Sequence, residues 1–116
     1  MARTVLVIDD HAGFRAIART ILEAAGYDVV AEAADGESGV GAAERTAPDL
    51  VVVDIQLPDI DGFEVTRRLL ESGSSPAIVL VSSRDRSDFG SLVESSGANG
   101  FVPKAEISAE SLAAVL

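Results

Sequence analysis

The run Leu50-Val51-Val52-Val53-Asp54 decides the fold, because a short, β-branched apolar run here ends on a carboxylate. An apolar run without polar alternation is typical of a strand that is covered on both faces, as in a parallel sheet. Further runs of this kind are Val5–Ile8, Val29–Ala31, Ile78–Val81 and Phe101–Val102. Each gap between consecutive runs is long enough to hold the crossover helix that parallel strands need.

The segments between and after these runs carry helical signals. The first helix is predicted by the apolar stripe Phe14, Ile17, Ile21 and Leu22 and ends at Gly26, and the second begins at the N-cap Asp35 and ends before Pro48. The third contains Val65, Leu69 and Leu70 before the turn cluster Gly73–Pro76, and the fourth contains Phe89, Leu92 and Val93 and ends at Gly97. The fifth begins at the cap Ser108 and contains Leu112, Val115 and Leu116. Strand and helix therefore alternate five times. This predicts an α/β fold, a doubly wound (βα)5 domain with helices on both faces of a five-stranded parallel sheet.

Composition narrows the class of protein. The 116 residues suit one domain, and the 47% apolar content suits a packed core. The absence of cysteine excludes a disulfide framework and a cysteine zinc site, and the single histidine argues against a multi-histidine metal centre. A net charge of −10 opposes direct binding to nucleic acid or anionic membranes. With no apolar run of membrane length and no signal-peptide pattern, we expect a cytoplasmic domain.

Polar side chains follow four of the five predicted strands. Asp9 and Asp10 follow the first strand, Asp54 the third, Ser82 the fourth and Lys104 the fifth. Ligands of doubly wound folds lie outside the carboxyl ends of the strands, so these groups should meet at one edge of the sheet. Clustered carboxylates suit Mg²⁺, while a lysine and a hydroxyl suit a phosphoryl group. An aspartate among them is then a candidate nucleophile that forms an aspartyl phosphate.

Together these residues resemble the receiver domain of two-component response regulators. The resemblance rests on Asp9-Asp10, the segment 54–62 (DIQLPDIDG), Ser82 and the segment 101–104 (FVPK), and it spans essentially the whole chain. It implies a single receiver domain over residues 1–116 with the flavodoxin-like strand order 2-1-3-4-5. The segment 100–107 and the Asp-Asp-His start are most similar to regulators with a C-terminal helix-turn-helix output domain of the LuxR type.

The resemblance implies a role for each site residue. Asp54 would accept a phosphoryl group from a sensor histidine kinase, and Lys104 would pair with the phosphoryl oxygens. Asp10 would contact Mg²⁺ directly, Asp9 would do so mostly through water, and the backbone carbonyl of Gln56 would be a further ligand. The domain would catalyse only its own phosphorylation and slow dephosphorylation, so it is expected to be a signalling module and not an enzyme.

The family's switch is expected to involve Ser82 and Phe101. On phosphorylation Ser82 would move toward the phosphoryl group, and Phe101 would turn from an exposed to a buried position. The face formed by the fourth helix, fifth strand and fifth helix would then change its affinity for a partner and so control an output such as transcription. Self-dimerisation on phosphorylation is a further expectation. Many receivers carry Lys-Pro with a cis bond where this chain has Lys104-Ala105, and alanine there favours a trans or a strained backbone.

Three other interpretations use parts of the same pattern. A degenerate receiver would bind partners without phosphorylation, although Asp54, Ser82 and Lys104 are all present. A haloacid-dehalogenase-like phosphatase would need its nucleophile after the first strand and a cap domain, for which this length leaves no room. A flavodoxin would need a hydroxyl- or glycine-rich phosphate loop after the first strand, where Asp9-Asp10 would repel the phosphate.

Other residues near these motifs are interpreted as structural. Asp59 and Asp61 are expected to be turn residues, and His11 is expected to be exposed and inert. The segment Gly39-Val40-Gly41 starts like a dinucleotide fingerprint but lies inside a predicted helix, so we discard it.

The fifth helix stops without a cap at Leu116. Either the protein ends there, or the domain was excised from a longer response regulator, which we favour because that helix is short.

Overall fold

A computed structural model describes residues 2–73 and 75–116, and in it five strands alternate with five α-helices as predicted. The strands are β1 Thr4–Ile8, β2 Asp28–Ala33, β3 Leu50–Asp54, β4 Ala77–Ser82 and β5 Gly100–Pro103. The helices are α1 Ala12–Ala24, α2 Gly36–Thr46, α3 Gly62–Glu71, α4 Leu92–Ser95 and α5 Ala109–Val115. All strand pairs are parallel, and the order β2-β1-β3-β4-β5 confirms the flavodoxin-like topology. Of the predicted turn 73–76, Ser74 lies outside the described residues.

The sheet is covered on both faces because successive side chains of its central strands point in opposite directions. One face consists of Leu6, Ile8, Val51, Val53, Ile78 and Leu80, and it packs against α2, α3 and α4. The other consists of Val5, Val7, Leu50, Val52, Val79 and Val81, and it packs against α1 and α5. Burying each of these side chains contributes about 1.5–3 kcal/mol, so the unbroken apolar runs specify a two-sided core.

Helix α1 buries a different stripe from the one that the sequence predicted. Ala18 and Leu22 face the sheet and Phe14 packs beside them, whereas Ile17 is 54% exposed. Residues 14, 18 and 22 follow the spacing of four that keeps side chains on one side of a helix, and residue 17 lies about 100° away from residue 18. Including Ile17 in the buried stripe was therefore wrong.

The predicted fourth helix is broken into two short pieces. A 3₁₀ turn spans Arg86–Phe89, and only Leu92–Ser95 is α-helical. Gly90 separates them with φ +58 and ψ −130, a conformation that a side chain would oppose. The hydroxyls of Ser95 and Ser96 donate to carbonyls of the preceding turn, which competes with helix propagation. The apolar spacing predicted the packing of this segment but not its low helix propensity.

The predicted caps are confirmed. Asp35 accepts a hydrogen bond from the Ser38 backbone N–H at the start of α2, and Ser108 and Ser111 form a reciprocal capping box at the start of α5. Gly39 lies inside α2, where an added Cβ would come within 2.5 Å of the Ile8 side chain. This glycine therefore serves the close packing of α2 on β1, which agrees with discarding a dinucleotide motif.

Candidate functional site

The parallel register brings four strand ends to one edge of the sheet. Asp54 is the last residue of β3 and is paired in register with Val81 of β4, and Ser82 is the last residue of β4. Asp9 directly follows β1, and Lys104 directly follows β5. Because β3 lies between β1 and β4, Asp54 occupies the middle of this edge.

Lys104 bridges the two buried carboxylates. Its Nζ donates a hydrogen bond of 3.0 Å to Asp54 Oδ2 and lies 2.6 Å from Asp9 Oδ2. The ammonium also lies 4.8 Å from the centre of the Phe14 ring, a favourable cation–π distance. Burial by itself would lower the pKa of Lys104, but the close contacts with the carboxylates of Asp9 and Asp54 and their negative charges outweigh it and raise that pKa. Lys104 is therefore held as a cation at the centre of the site.

Asp54 is a buried carboxylate, and its contacts offset only part of the free-energy cost of burying its charge. It is 3% exposed, and its Oδ1 accepts a hydrogen bond of 3.1 Å from the Gln56 backbone N–H. Burial raises the pKa of Asp54 above its ordinary value, while the Gln56 N–H and Lys104 act in the opposite direction. The nearby Asp9 charge adds to the increase. A cation at this site would therefore favour the ionised form.

Asp9 is fully buried, and its backbone is fixed as well as its side chain. Its Oδ1 accepts a hydrogen bond of 2.8 Å from the His11 backbone N–H, and Arg15 Nη1 donates to the Asp9 carbonyl at 2.6 Å. Oδ2 accepts no hydrogen bond from the described residues, since its contact with Lys104 is an ion pair without hydrogen-bond geometry. Sequence reasoning missed Arg15, because nothing in a helical arginine indicates a bond to a strand-end carbonyl.

The donor set fits a hard divalent cation. Asp9, Asp10, His11 and Asp54 each offer one ligand atom, and these atoms all lie within 4.8 Å of one another. Three of the four donors are carboxylate oxygens, the ligands that Mg²⁺ prefers, and Asp9 Oδ2 is a buried oxygen with hydrogen-bonding capacity to spare. The sequence prediction of an acidic cluster able to bind a metal is confirmed.

Ser82 and Phe101, the predicted switch residues, lie on the neighbouring strands β4 and β5. Ser82 is fully buried, and its hydroxyl accepts a hydrogen bond of 3.0 Å from the Arg84 backbone N–H. Phe101 is only 8% exposed, and its ring centre lies 6.1 Å from that of Phe89, which in turn lies 6.0 Å from Phe63. The sequence predicted an exposed Phe101 before activation, and this structure instead has the ring buried, because Phe89 offers an aromatic partner. The Lys104–Ala105 bond is trans.

The loop from Ile55 to Asp61, which follows Asp54, is held tightly at its two ends. The Gly62 backbone N–H donates to the Ile55 carbonyl at 2.8 Å, and a Cβ on Gly62 would lie 2.6 Å from the Asp54 carbonyl oxygen. Asp59 accepts hydrogen bonds from the backbone N–H groups of Gly36 and Glu37, so it caps α2 from a distant loop.

These backbone donors lower the pKa of Asp59 to about 2. Asp61 caps α3 locally by accepting from the Glu64 N–H. The expectation that both aspartates are structural turn residues agrees with these contacts, but the long-range cap by Asp59 was missed. A loop aspartate carries no sequence signal of the distant helix that it caps.

The fold and this edge of the sheet define a receiver domain. The family model for the response regulator receiver domain matches residues 5–116, so the chain belongs to that family. Among curated proteins, it is 38% identical to BvgA of Bordetella pertussis and 34% identical to the DNA-binding transcriptional activator EvgA of Escherichia coli K12, covering 91% and 87% of this chain. It spans only about half the length of these relatives, 51% and 50% respectively.

Solved structures lead to the same class. A LuxR-family two-component response regulator from Aurantimonas is 33% identical with a TM-score of 0.86, over 99% of this chain and 83% of that one. The chemotaxis response regulator CheY4 of Vibrio cholerae is 25% identical with a TM-score of 0.84, over 100% of both chains. These matches confirm the predicted fold and the likeness to LuxR-family regulators. No helix within residues 2–73 and 75–116 is long and apolar enough to cross a membrane.

Proposed function

We propose that this domain is the phosphoacceptor of a two-component system and that Asp54 is the residue that becomes phosphorylated. The observation that supports this most is the contact of Lys104 with both Asp9 and Asp54, which links three strand ends into one charged site. A buried carboxylate beside a cation and spare acidic oxygens suits the capture of a group that carries negative charge. The domain promotes its own phosphorylation and slow dephosphorylation and acts on no separate substrate.

The proposed reaction is a phosphoryl transfer from a phosphohistidine of a sensor histidine kinase. A carboxylate oxygen of Asp54 attacks phosphorus, and a P–O bond forms as the P–N bond to the donor imidazole breaks. The imidazole leaves with the bonding electron pair and is protonated from solvent. Asp54 must be ionised to attack, so the neighbouring Lys104 cation supports the reaction by opposing the effect of burial on the carboxylate.

Asp9, Asp10, Asp54 and the backbone carbonyl of Gln56 would hold Mg²⁺, with Asp10 in direct contact and Asp9 mostly through water. The bound ion would supply positive charge that offsets the charge on the transferring group. Asp10 contributes a more exposed carboxylate than the fully buried Asp9. The exposed carboxylate can therefore rearrange around an ion, while the buried one stays fixed by the His11 N–H and Lys104.

Lys104 and Ser82 would recognise the phosphoryl group once it is attached. Lys104 would exchange its contact with Asp54 Oδ2 for the phosphoryl oxygens, and the Ser82 hydroxyl would donate a hydrogen bond to one of them. The Phe101 side chain would respond to the position of Ser82. Phosphorylation would lower the population of molecules in which the Phe101 ring is exposed. The face formed by α4, β5 and α5 would then change its affinity for a partner.

The partners follow from the family and its relatives. A sensor histidine kinase would phosphorylate the domain in the cytoplasm, and phosphorylation would promote self-dimerisation. Residues 1–116 would be the N-terminal receiver of a longer response regulator with a DNA-binding output domain. This part of the proposal is supported by the name of EvgA and by the share of that protein that the chain covers.

Beryllofluoride, which mimics a phosphoryl group on aspartate, tests the site directly. With Mg²⁺ present, we expect NMR shifts around Asp54, Ser82 and Lys104 in the wild-type domain and none in Asp54→Asn. Asp85→Asn is the matched control, because Asp85 lies on the loop after β4 and its side chain makes no capping hydrogen bond. Shifts that persist in Asp54→Asn would overturn the assignment. A wild-type domain that does not respond would favour the phosphorylation-independent binding module.

A further inference from the structure

His11 is the member of the acidic cluster that the proposed function leaves unused. Its side chain is 70% exposed, and its Nδ1 lies 3.3 Å from Asp9 Oδ1 and 3.2 Å from Asp10 Oδ1. The sequence favoured an exposed and inert histidine. The exposure is confirmed, but the ring nitrogen lies against two carboxylates of the metal site.

Helix capping does not account for this position of the imidazole. His11 is the N-cap residue of α1, yet its side chain makes no capping hydrogen bond. Instead its backbone N–H donates to Asp9 Oδ1 at 2.8 Å, which holds the start of the side chain next to that carboxylate. The ring therefore faces the acidic cluster as a consequence of the backbone.

The two contacts of the ring nitrogen are not hydrogen bonds. Among the described residues, Nδ1 lies within ion-pair distance of Asp9 and Asp10 but without the geometry of a hydrogen bond to either. Two donors on one tetrahedral zinc ion, each about 2.1 Å from it, lie about 3.4 Å apart. The observed separations of 3.2 and 3.3 Å are close to that value.

An imidazole donor changes which ions a site prefers. Carboxylate oxygens suit Mg²⁺, whereas neutral imidazole suits zinc, nickel and similar transition ions. We propose that His11 Nδ1 is a ligand at this edge of the sheet and that, with Asp9 and Asp10, it gives the receiver a site for a borderline divalent ion such as Zn²⁺. This ion would compete with Mg²⁺ for the same carboxylates. The inference rests on the metal site of the proposed function and adds a second class of ion to it.

The single histidine makes the test specific. The chain has one histidine, so in a protein without a polyhistidine tag the imidazole ¹⁵N resonances belong to His11. Addition of Zn²⁺ should shift one of them strongly, and Mg²⁺ should not. By calorimetry, His11→Gln should weaken Zn²⁺ binding by about tenfold or more and change Mg²⁺ binding by no more than about twofold.

Two further variants separate the outcomes. Asp10→Asn should weaken both ions, and Asp85→Asn, outside the cluster, should weaken neither. Equal loss of Zn²⁺ and Mg²⁺ in His11→Gln, an unshifted imidazole, or zinc binding that survives Asp10→Asn would each overturn the role of His11. Failure of the wild-type domain to bind Mg²⁺ would instead count against the metal site of the proposed function.

Discussion

Lys104 Nζ lies 3.0 Å from Asp54 Oδ2, so the residue that follows β5 neutralises the carboxylate at the end of β3. The same ammonium contacts Asp9, and both carboxylates are almost fully buried. Lys104 is also the chain's only lysine. One ammonium group therefore offsets the charge of both buried carboxylates.

Replacing Lys104 by methionine should destabilise the metal-free domain. Two buried carboxylates would lose their cation, and removal of one partner from a buried ion pair costs roughly 3 kcal/mol. Urea denaturation without divalent ions measures this loss, and added Mg²⁺ should restore part of it. The exposed Arg84→Met at the same edge is the control and should change little. An unchanged free energy of unfolding for Lys104→Met would show that the bridge is not important for stability.

Replacing Asp54 by asparagine should stabilise the metal-free domain at neutral pH. Because the pKa of Asp54 is raised in the folded state, folding opposes ionisation of this group. The free energy of unfolding of the wild type therefore decreases as the pH rises from the unfolded-state pKa of Asp54, about 3.9, through its higher folded-state pKa. The difference in free energy of unfolding between Asp54→Asn and the wild type should therefore shrink as the pH falls toward the unfolded-state pKa. Urea denaturation across this pH range tests it, and an advantage that grows in acid would contradict the assignment.

Two glycines of one helix form a matched pair. A Cβ on Gly39 would meet the buried Ile8 at 2.5 Å, while a Cβ on Gly41 would meet only the end of the Arg45 side chain at 3.3 Å. At either position, alanine favours the helical conformation over glycine by about 1 kcal/mol. Gly41→Ala should therefore stabilise the domain, and Gly39→Ala should be less stable than Gly41→Ala by roughly 1–3 kcal/mol because of overpacking. Equal stabilities would mean that α2 can move away from β1 without cost.

Asp59→Asn should lower the melting temperature at neutral pH, because the charge that caps α2 from the loop between β3 and α3 is lost. The pKa of Asp59 is lowered to about 2, so its contribution is present above the ordinary carboxyl pKa and is lost as the pH falls through 2. The difference between variant and wild type should accordingly disappear in acid. Thermal melts at several pH values test this, with Asp85→Asn as the control. A difference that is independent of pH would point to packing instead of charge.

The strands and most of the site could be predicted because they depend on local sequence. Each strand is an apolar run, and parallel strands carry whatever follows them to the same edge. Asp9, Asp54 and Lys104 are in contact there, and Ser82 ends the neighbouring strand. The strand order came from the resemblance, since no local signal ranks strands across a sheet.

Features that depend on tertiary contacts could not be predicted in this way. The bond from Arg15 to the Asp9 carbonyl and the cap of α2 by Asp59 join residues whose partners only the fold brings near. The buried position of Phe101 depends on the ring of Phe89, which lies on a 3₁₀ turn where a regular helix was expected. The imidazole of His11 lies against the acidic cluster because of a backbone hydrogen bond that the sequence does not reveal.

Locating the phosphoryl group after reaction with acetyl phosphate tests the central claim most directly. The domain would be incubated with and without Mg²⁺, the acyl phosphate trapped by borohydride reduction, and the modified residue located by tandem mass spectrometry. Our account predicts a single modification at Asp54 that requires Mg²⁺ and is absent from Asp54→Asn. Modification at another residue, or equal modification of Asp54 without any divalent ion, would contradict it.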